Sequence, residues 1–422
     1  MSSFLASIFY IFAFLSVYVQ IFFLITFLEK RKKIIRRDGP IDLAEYPGVT
    51  IVVPCYNEEK TISKTVNSIL ALDYPKDKLK LILVDDGSRD NTWEVIKSFE
   101  KFDNIKTFHK ENGGKYTCLN LAIEKTETPF VGCLDADSFV DTHALKRIMS
   151  YFLNDPLTMA VAPSILVHNP KNLLQHAQKA EYDMAVYNKK MLGFIGGIHV
   201  TPGPFSIFRK KVFDDLGLYR HAHNTEDQEI ALRMQTHGYK IEHCPDAYVY
   251  TISPNTVKKL YRQRLRWIYG FIKNAADYRF LLFKKKYGNI AFFTLPSGII
   301  SVVSVVFLLV FFMHNLFTFL SDKFTILKTV GFSSHLSHLH FDWFFVNTKA
   351  ISFISIVLYG LVIMSLLLGR RMAEGRIKIS FNIFYFIIVY SLIAPFWMLK
   401  AIYNSIISKE SSWTLEREAK LN

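Results

Sequence analysis

The sequence is poor in cysteine and has no pair of cysteines placed for a metal or a disulfide. Its 422 residues contain four cysteines, at positions 55, 118, 133 and 244, and none forms a C-x-x-C motif. Disulfide-rich domains and zinc modules need closely spaced cysteines. We therefore exclude both classes and expect reduced, buried cysteines in a cytosolic domain.

Acidic residues are also in deficit. The chain has 37 Asp and Glu against 51 Lys and Arg, which gives a formal net charge of +14. The basic residues cluster beside long apolar runs. We therefore expect them to face anionic lipid and a phosphorylated substrate, and we expect no nucleic-acid partner.

A removable signal peptide is missing, although the chain starts with an apolar run. The run over 4–28 has no positive start and no small-residue cleavage site, and it is long enough to span a bilayer. The basic cluster at 30–37 then predicts a cytoplasmic location for the domain after it. Further spans are predicted over 298–320, 351–368 and 381–399.

The predicted spans leave one question of topology open. One span before the middle domain and three after it put the C-terminus outside, whereas the polar tail suits the inside. A re-entrant or interfacial segment would reconcile the two. The predicted segments are a transmembrane helix (1–29), a basic cytosolic linker (30–47), an α/β domain (48–253), amphipathic interfacial helices (254–288), a transmembrane region (289–405) with an external loop (321–346), and a polar tail (406–422).

The middle of the chain alternates short apolar runs with helical patterns. Runs at 49–54, 79–84, 105–109 and 159–167 read as strands. This predicts an α/β fold, a mostly parallel sheet with helices on both faces, and ligands beyond the carboxyl ends of the strands. No dinucleotide-type glycine pattern follows the first strand, which disfavours a nicotinamide dehydrogenase.

The run FVGCLDADSFV, at 130–140, ends in two carboxylates, Asp135 and Asp137. Side chains two apart in an extended chain point to the same side. Two carboxylates at one spot need a cation or a proton between them. Mg²⁺ suits such a spot because it also takes phosphate oxygens. The alternative is a solvated surface turn, where D-x-D is common.

Three earlier motifs lie where strands end or a helix begins. PCYNEE offers Tyr56 and Glu58 to a base or a ribose hydroxyl, or is an ordinary turn before a helix. VDDGS offers Asp86 to a base or ribose, or is an Asp-Gly turn. NGGK offers glycine amides and Lys115 to an anion, or simply starts a helix.

Two later motifs have functional and structural readings. In TED, Thr225 can cap a helix whose first turn holds Glu226 and Asp227, which is ordinary capping chemistry. Alternatively, Asp227 is a general base for an attacking hydroxyl. The rigid loop around Gly203 and Pro204 either walls an acceptor site or is a turn before a short strand.

The motif QRLRW lies on a predicted amphipathic helix. Gln263 and Trp267 share one face of that helix, and Arg266 is three residues from Gln263. Trp267 can stack on a sugar, and Arg266 can bind a diphosphate bidentately. The alternative is a basic, aromatic helix at the lipid headgroups.

Taken in order and between membrane spans, these motifs resemble the membrane-bound family 2 glycosyltransferases. That family includes the synthases of cellulose, hyaluronan and poly-N-acetylglucosamine. The resemblance covers about 48–270 and the flanking spans, and the GPFSIFR stretch is closer to the hyaluronan branch than to the cellulose branch. It implies a GT-A type nucleotide-sugar-binding domain, a UDP-sugar as the expected donor, and Mg²⁺ or Mn²⁺ as the cofactor.

The resemblance also implies roles for single residues. Asp227 would be the base, with Glu226 beside it in the catalytic pair, and Asp137 would bind the metal. The nucleotide-sugar would be held by Tyr56, Glu58, Asp86, Lys115, Asp135 and Arg266. The acceptor or product would contact Gln263, Trp267, Gly203 and Pro204.

The implied function is inverting transfer of a sugar to the hydroxyl of a growing polysaccharide, coupled to export, by an integral plasma-membrane protein with a cytoplasmic catalytic domain. A transferase that adds one sugar to a lipid carrier or glycolipid is an alternative, because the membrane part is small. A non-catalytic membrane scaffold is a third reading, which intact Asp137 and Asp227 oppose. The sequence gives no basis for a protein partner.

Overall fold

The computed structural model describes residues 3–34, 37, 39–330, 350–377 and 379–408. The predicted polar tail beyond residue 408 lies outside the described residues, as do most of the predicted external loop and part of the basic linker.

Eight strands and twelve α-helices are found in the described residues. The strands are β1 Val49–Cys55, β2 Leu79–Asp85, β3 Ile105–His109, β4 Phe130–Cys133, β5 Ser138–Val140, β6 Thr158–Val167, β7 Ile207–Arg209 and β8 Lys240–Thr251. The helices are α1 Ser3–Lys30, α2 Ile62–Leu70, α3 Thr92–Lys97, α4 Lys115–Glu124, α5 Ala144–Asn154, α6 Leu173–Phe194, α7 Lys211–Leu216, α8 Glu226–Thr236, α9 Val257–Asp277, α10 Leu295–Val330, α11 Ala350–Glu374 and α12 Phe381–Ile406.

The strands form one sheet in the order β3-β2-β1-β4-β7-β6-β8-β5. The first four strands are parallel, as the sequence predicts. β6 and β8 are also parallel, but β7 and β5 run antiparallel to their neighbours, so the whole sheet is mixed. The parallel half brings the carboxyl ends of β1, β2 and β4 to one edge.

Alternate side chains of the central strands enter two different cores. Ile51 and Val53 pack on one face with α2 and α5, whereas Val52 and Ile82 pack on the other with α4 and α8. This is the two-residue period of a strand that is buried on both faces. The predicted helices on both faces are thereby confirmed.

Helix α6 is the largest element that the sequence reading missed. Asn172 caps it by accepting from the backbone N–H of Gln175 at 2.9 Å. One side of α6 packs on β6 and β8, and other residues of the helix pack on α1, α11 and α12. Because α6 lies between two packed layers, lysines are mixed with its apolar residues. This mixture obscures the helical period in the sequence.

Helices α1, α10, α11 and α12 are long and apolar enough to cross a membrane, so the chain has the character of a membrane protein. The four predicted spans thus coincide with apolar helices. Helix α10 continues to Val330, so the first part of the predicted external loop is helical.

Helix α12 lies along the α/β domain and its helix α9 for much of its length. The ring of Trp397 contacts the ring of Tyr261 on α9, with centroids 6.5 Å apart. Further along, Lys273 of α9 donates to the Ser408 hydroxyl at 3.3 Å. Helix α12 also packs against α6. The last apolar helix therefore forms part of the support for α9.

Candidate active site

A cavity of about 650 Å³ opens at the carboxyl ends of β1, β2 and β4. Helices α6, α9 and α10 form its other walls. All thirteen residues singled out in the sequence line it: Tyr56, Glu58, Asp86, Lys115, Asp135, Asp137, Gly203, Pro204, Glu226, Asp227, Gln263, Arg266 and Trp267. The structure thus brings together segments that are up to about two hundred residues apart, while their individual roles stay predictions.

The buried carboxylate of Asp86 organises the glycine turn beside it. It accepts from the ammonium of Lys110 at 2.7 Å and from the backbone N–H groups of Gly113 at 3.0 Å and Gly114 at 2.8 Å. The glycine amides that we expected to meet an external anion therefore meet Asp86. In this structure Asp86 builds the wall of the cavity.

The turns after β1 and β2 are joined to each other. Asn57 has a positive φ of 56° and donates its backbone N–H to the Ser88 hydroxyl at 2.9 Å. The backbone N–H of Glu58 donates to the Thr92 hydroxyl at 2.7 Å. Burial raises the pKa of Glu58, although the Thr61 hydroxyl that donates to this carboxylate opposes the shift. These bonds hold Glu58 and the neighbouring Tyr56 at the mouth of the cavity.

Lys115 connects four of the predicted motifs. Its ammonium lies 2.5 Å from Oδ1 of Asp135 and 3.6 Å from Oε1 of Glu226. A Cβ at Gly203 would lie 2.5 Å from this ammonium and 3.3 Å from Asp135. A side chain at this position would therefore displace the Lys115 ammonium, because the backbone of the loop passes directly over the ion pair.

Asp137 is the second carboxylate of the D-x-D motif. Burial raises its pKa to about 7, and the nearby charges of Asp135 and Glu58 add to the shift. The Ser138 hydroxyl donates to it at 3.2 Å. No group of three His, Cys, Asp or Glu able to hold a metal is found in the described part of the chain. The donors present fit a hard cation that completes its shell with substrate oxygens.

Asp227 lies in the first turn of α8. Burial raises the pKa of Asp227 to about 6, and the negative charge of Glu226 adds to this, while Lys115 and Arg266 oppose it. Its backbone carbonyl accepts from the N–H of Thr201 at 3.2 Å and from the hydroxyl of Thr201 at 3.0 Å. Asp227 is thereby held in place beside the 201–205 loop.

Thr225 does not cap α8 with its side chain, contrary to the sequence reading. Its hydroxyl donates to the carbonyl of Ala222 at 3.0 Å and accepts from the side-chain amide of Asn274 at 2.8 Å. The tertiary contact with α9 replaces the local cap. Thr225 therefore fixes α8, which carries Asp227, to the helix that carries Trp267.

Arg264 supports two residues of the cavity wall, and the sequence reading overlooked it although it lies inside the QRLRW motif. It is 4% exposed, and its guanidinium lies 4.1 Å from the ring centroid of Trp267. It also donates to the side-chain carbonyl of Gln263 at 3.0 Å and pairs with Glu181 of α6. Arg264 thus contacts two of the four residues that are predicted to meet the acceptor or product.

The same cluster reaches helix α12. The Tyr390 hydroxyl donates to Oε2 of Glu181 at 2.5 Å. On the other part of the motif, Arg266 donates to the carbonyl of Asn224 at 3.1 Å, just before α8. The part of α9 that carries the QRLRW motif is therefore anchored to α6, to α12 and to the segment just before α8.

Two further titratable residues of the cavity were not found from the sequence. Burial lowers the pKa of Lys189 on α6 to about 8, although the negative charge of Asp227 opposes this shift. Burial and the charge of Lys189 lower the pKa of His199 to about 4. Neither belongs to a motif, and only the path of α6 brings Lys189 to the cavity.

We expect Gly203→Ala to weaken UDP binding about tenfold, a cost of about 1.4 kcal/mol. The added Cβ overlaps the Lys115 ammonium and must displace it from Asp135. Calorimetry with UDP measures the effect. Gly39→Ala is the control, because a Cβ there meets no atom within 4 Å. Unchanged UDP affinity in Gly203→Ala would show that the close approach is not needed.

We expect Arg264→Ala to lower the stability of the folded protein by about 3 kcal/mol, since it leaves Glu181 without its cation and Trp267 without its stacking partner. Thermal unfolding of the detergent-purified protein measures this. Arg264→Lys should retain part of the stability. The exposed Lys258 at the start of α9 provides the control variant Lys258→Ala. An unfolding temperature of Arg264→Ala equal to that of the control would contradict the proposed anchoring.

Residues 47–270 match the protein family described as glycosyltransferase like family 2. The chain is 34% identical over 232 residues to the poly-beta-1,6-N-acetyl-D-glucosamine synthase of Staphylococcus aureus strain COL, an alignment that covers 54% of this chain and 56% of that protein. It is 32% identical over 225 residues to the synthase of that name from Staphylococcus epidermidis, with 53% and 54% covered. The alignments thus span about half the length of these curated relatives.

The fold is shared with a solved mannosyltransferase from Pyrobaculum calidifontis in complex with GDP-Man and Mn²⁺. The TM-score is 0.56 at 17% identity, over 88% of this chain and 99% of that one. This likeness confirms the predicted GT-A type of fold. Because the family match covers more than half of the sequence and includes every predicted motif, the protein belongs to glycosyltransferase family 2.

Proposed function

We propose that the protein is a membrane-integrated, inverting glycosyltransferase that moves a sugar from a nucleotide-sugar, with a UDP-sugar expected, to the hydroxyl of a growing polysaccharide. The observation that carries the proposal is the single cavity that joins the predicted donor residues, Asp227 and membrane-type helices. The similarity to poly-beta-1,6-N-acetyl-D-glucosamine synthases supports a polysaccharide product.

The donor end of the cavity suits a nucleoside diphosphate. Tyr56 can stack on the base, and Glu58 can accept from a ribose hydroxyl at the ends of β1 and β2. Lys115 and Arg266 supply the positive charge that a diphosphate needs. Asp86 fixes the glycine turn that closes this end.

A divalent cation, Mg²⁺ or Mn²⁺, fits beside Asp137. Asp135 is already paired with Lys115, so Asp137 is the carboxylate that remains to face the cavity. When bound, such a cation would neutralise charge on the departing diphosphate. The Mn²⁺ in the mannosyltransferase of similar fold is in keeping with this assignment.

Asp227 has the position and the acidity of a general base. With a pKa of about 6 it is ionised at neutral pH and can still take a proton from an acceptor hydroxyl. A single displacement, in which the hydroxyl attacks opposite the departing diphosphate, inverts the anomeric centre. Lys189 lies on the side of α6 that faces this base and contributes positive charge there.

The acceptor is expected between Trp267 and the membrane helices. Gly298 and Ser301 of α10 and Met398 of α12 line the same cavity. A polymer end held on Trp267 therefore has a route toward the apolar helices, as export through the bilayer requires. We assign the catalytic domain to the cytoplasmic face of the plasma membrane, because the basic residues 30–33 follow α1 directly.

We expect Asp227→Asn to retain UDP binding and to lose sugar transfer by at least about a hundredfold, because the amide cannot accept the proton. The assay measures UDP release by purified protein with Mg²⁺ or Mn²⁺ across a panel of nucleotide-sugars. The matched variant Glu226→Gln should keep more activity. Transfer at the native rate by Asp227→Asn would refute the assignment of the base.

Product length on a gel distinguishes the two modes of transfer in the same assay. A ladder of long products supports polymer synthesis. A product one sugar longer than its acceptor would instead support the addition of a single sugar to a lipid carrier or glycolipid. Absence of turnover with every nucleotide-sugar would favour the interpretation of the protein as a non-catalytic membrane scaffold.

We expect kcat/KM to fall as the pH is lowered through about 6, since protonation of Asp227 removes the base. An ordinary aspartate would give this fall about two units lower. Lys189→Met should move the fall to higher pH, because it removes a positive charge that favours the ionised carboxylate. The control Lys125→Met, at the exposed end of α4, should leave the profile in place. A fall near pH 4 would contradict the raised pKa of Asp227.

A further inference from the structure

A second cavity, of about 570 Å³, lies where α6 begins and the membrane helices α11 and α12 follow one another. Its walls include Lys171, His176, Arg370, Ser380 and Tyr385. It is separate from the catalytic cavity, with which it shares none of these residues.

The surroundings of this cavity carry an excess of positive charge. Arg370 and Lys179 both pair with Glu374, at 3.1 and 2.5 Å. Both cations thus pair with Glu374, and the carboxylate of Asp183 lies close enough to interact with them, so Lys171 provides the excess charge. Lys171 is exposed, and no acid of the described residues lies within 4 Å of its ammonium. An anion entering the cavity would therefore meet more positive than negative charge.

Two polar side chains of the lining, His176 and Ser380, differ in their hydrogen bonding. Nδ1 of His176 is buried and has no hydrogen-bond partner in the described part of the chain. The Ser380 hydroxyl accepts from the N–H of Asn382 at 3.3 Å and can still donate. A ligand oxygen in the cavity could therefore accept from the Ser380 hydroxyl.

Large apolar side chains surround the entrance. Leu173, Ile379 and Phe381 are 51%, 71% and 74% exposed. They lie beside the end of α11 and the start of α12, where the membrane surface must fall if these helices span it. Exposed apolar groups around a basic cavity at that level match a phospholipid, whose phosphate and acyl chains need these two environments.

We propose that this cavity binds the phosphate headgroup of an anionic phospholipid, with its acyl chains against Leu173, Ile379 and Phe381. The phosphate supplies a counter-charge to Lys171 and a further anionic neighbour to Arg370. A lipid of the bilayer would thus be a specific ligand of the protein, in addition to the lipids that surround the apolar helices.

The bound lipid would steady the entry to α9. Side-chain amides of the first turns of α6 hold the segment before α9: Asn172 donates to the carbonyl of Asn255 at 3.0 Å, and Gln178 to that of Pro254 at 2.7 Å. Gln175 donates to the carbonyl of Ser253 at 2.9 Å. A ligand that fixes the start of α6 therefore also fixes the start of the helix that carries Trp267.

The experiment is thermal unfolding of the full-length protein in detergent with three additives: dioleoyl-phosphatidylglycerol, dioleoyl-phosphatidylcholine and glycerol 3-phosphate. We expect phosphatidylglycerol to raise the unfolding temperature by about 3 °C or more, and the other two to have little effect. Lys171→Glu should lose this rise. Lys125→Glu, the same charge change at the exposed end of α4, should keep it.

Native mass spectrometry supplies a second measure that does not depend on stability. Wild type and Lys125→Glu should retain phosphatidylglycerol in preference to phosphatidylcholine, and Lys171→Glu should not. Equal shifts with the two lipids, or a full shift in Lys171→Glu, would overturn the proposal. A full shift with glycerol 3-phosphate would show that the ligand is a free phosphate group and not a lipid. That result would also overturn the proposal.

Discussion

The ammonium of Lys115 is the point on which the arrangement of the site depends. It lies between Asp135 and Glu226, directly under the backbone of Gly203. One cation thereby joins the D-x-D turn, the start of α4, the start of α8 and the loop before β7. The same place also holds Asp137 and Asp227, so carboxylates outnumber cations. Burial together with this excess of acid keeps the pKa values of both aspartates high.

An excess of carboxylates at a site for a diphosphate is unfavourable unless further positive charge arrives. Arg266 supplies part of it from α9, and a divalent cation beside Asp137 would supply the rest. On the proposed function, the electrostatics therefore couple donor binding to the arrival of a divalent cation. They also account for the raised pKa of Asp227, which suits the general base that we propose.

The sequence was informative where chemistry is local. Strand ends, the D-x-D turn and the QRLRW helix could be located because apolar runs, turn residues and helical spacing are readable over a few residues. The family and the GT-A type of fold were predicted from the order of the motifs, and both are confirmed. The meeting of all thirteen residues in one cavity follows from the parallel half of the sheet, which puts the strand ends on one edge.

The features that the sequence reading missed depend on tertiary contacts. Helix α6 is packed between the sheet and the membrane helices, so its polar and apolar residues follow no simple period. Its Glu181 and Lys189 reach the cavity only because of that packing. The glycine amides of NGGK bind Asp86, and Thr225 bonds to Asn274 instead of capping α8, because partners distant in the chain replace local ones.

The cluster of Arg264, Glu181 and Tyr390 has a mechanical consequence. It ties the ring expected to hold the acceptor sugar to a helix whose other face is apolar and exposed. Any tilt of α12, for example in a thinner or stiffer bilayer, is transmitted through Tyr390 and Glu181 to the guanidinium under that ring. On the proposed function, the physical state of the surrounding lipid thereby becomes a parameter of how the acceptor is presented for transfer.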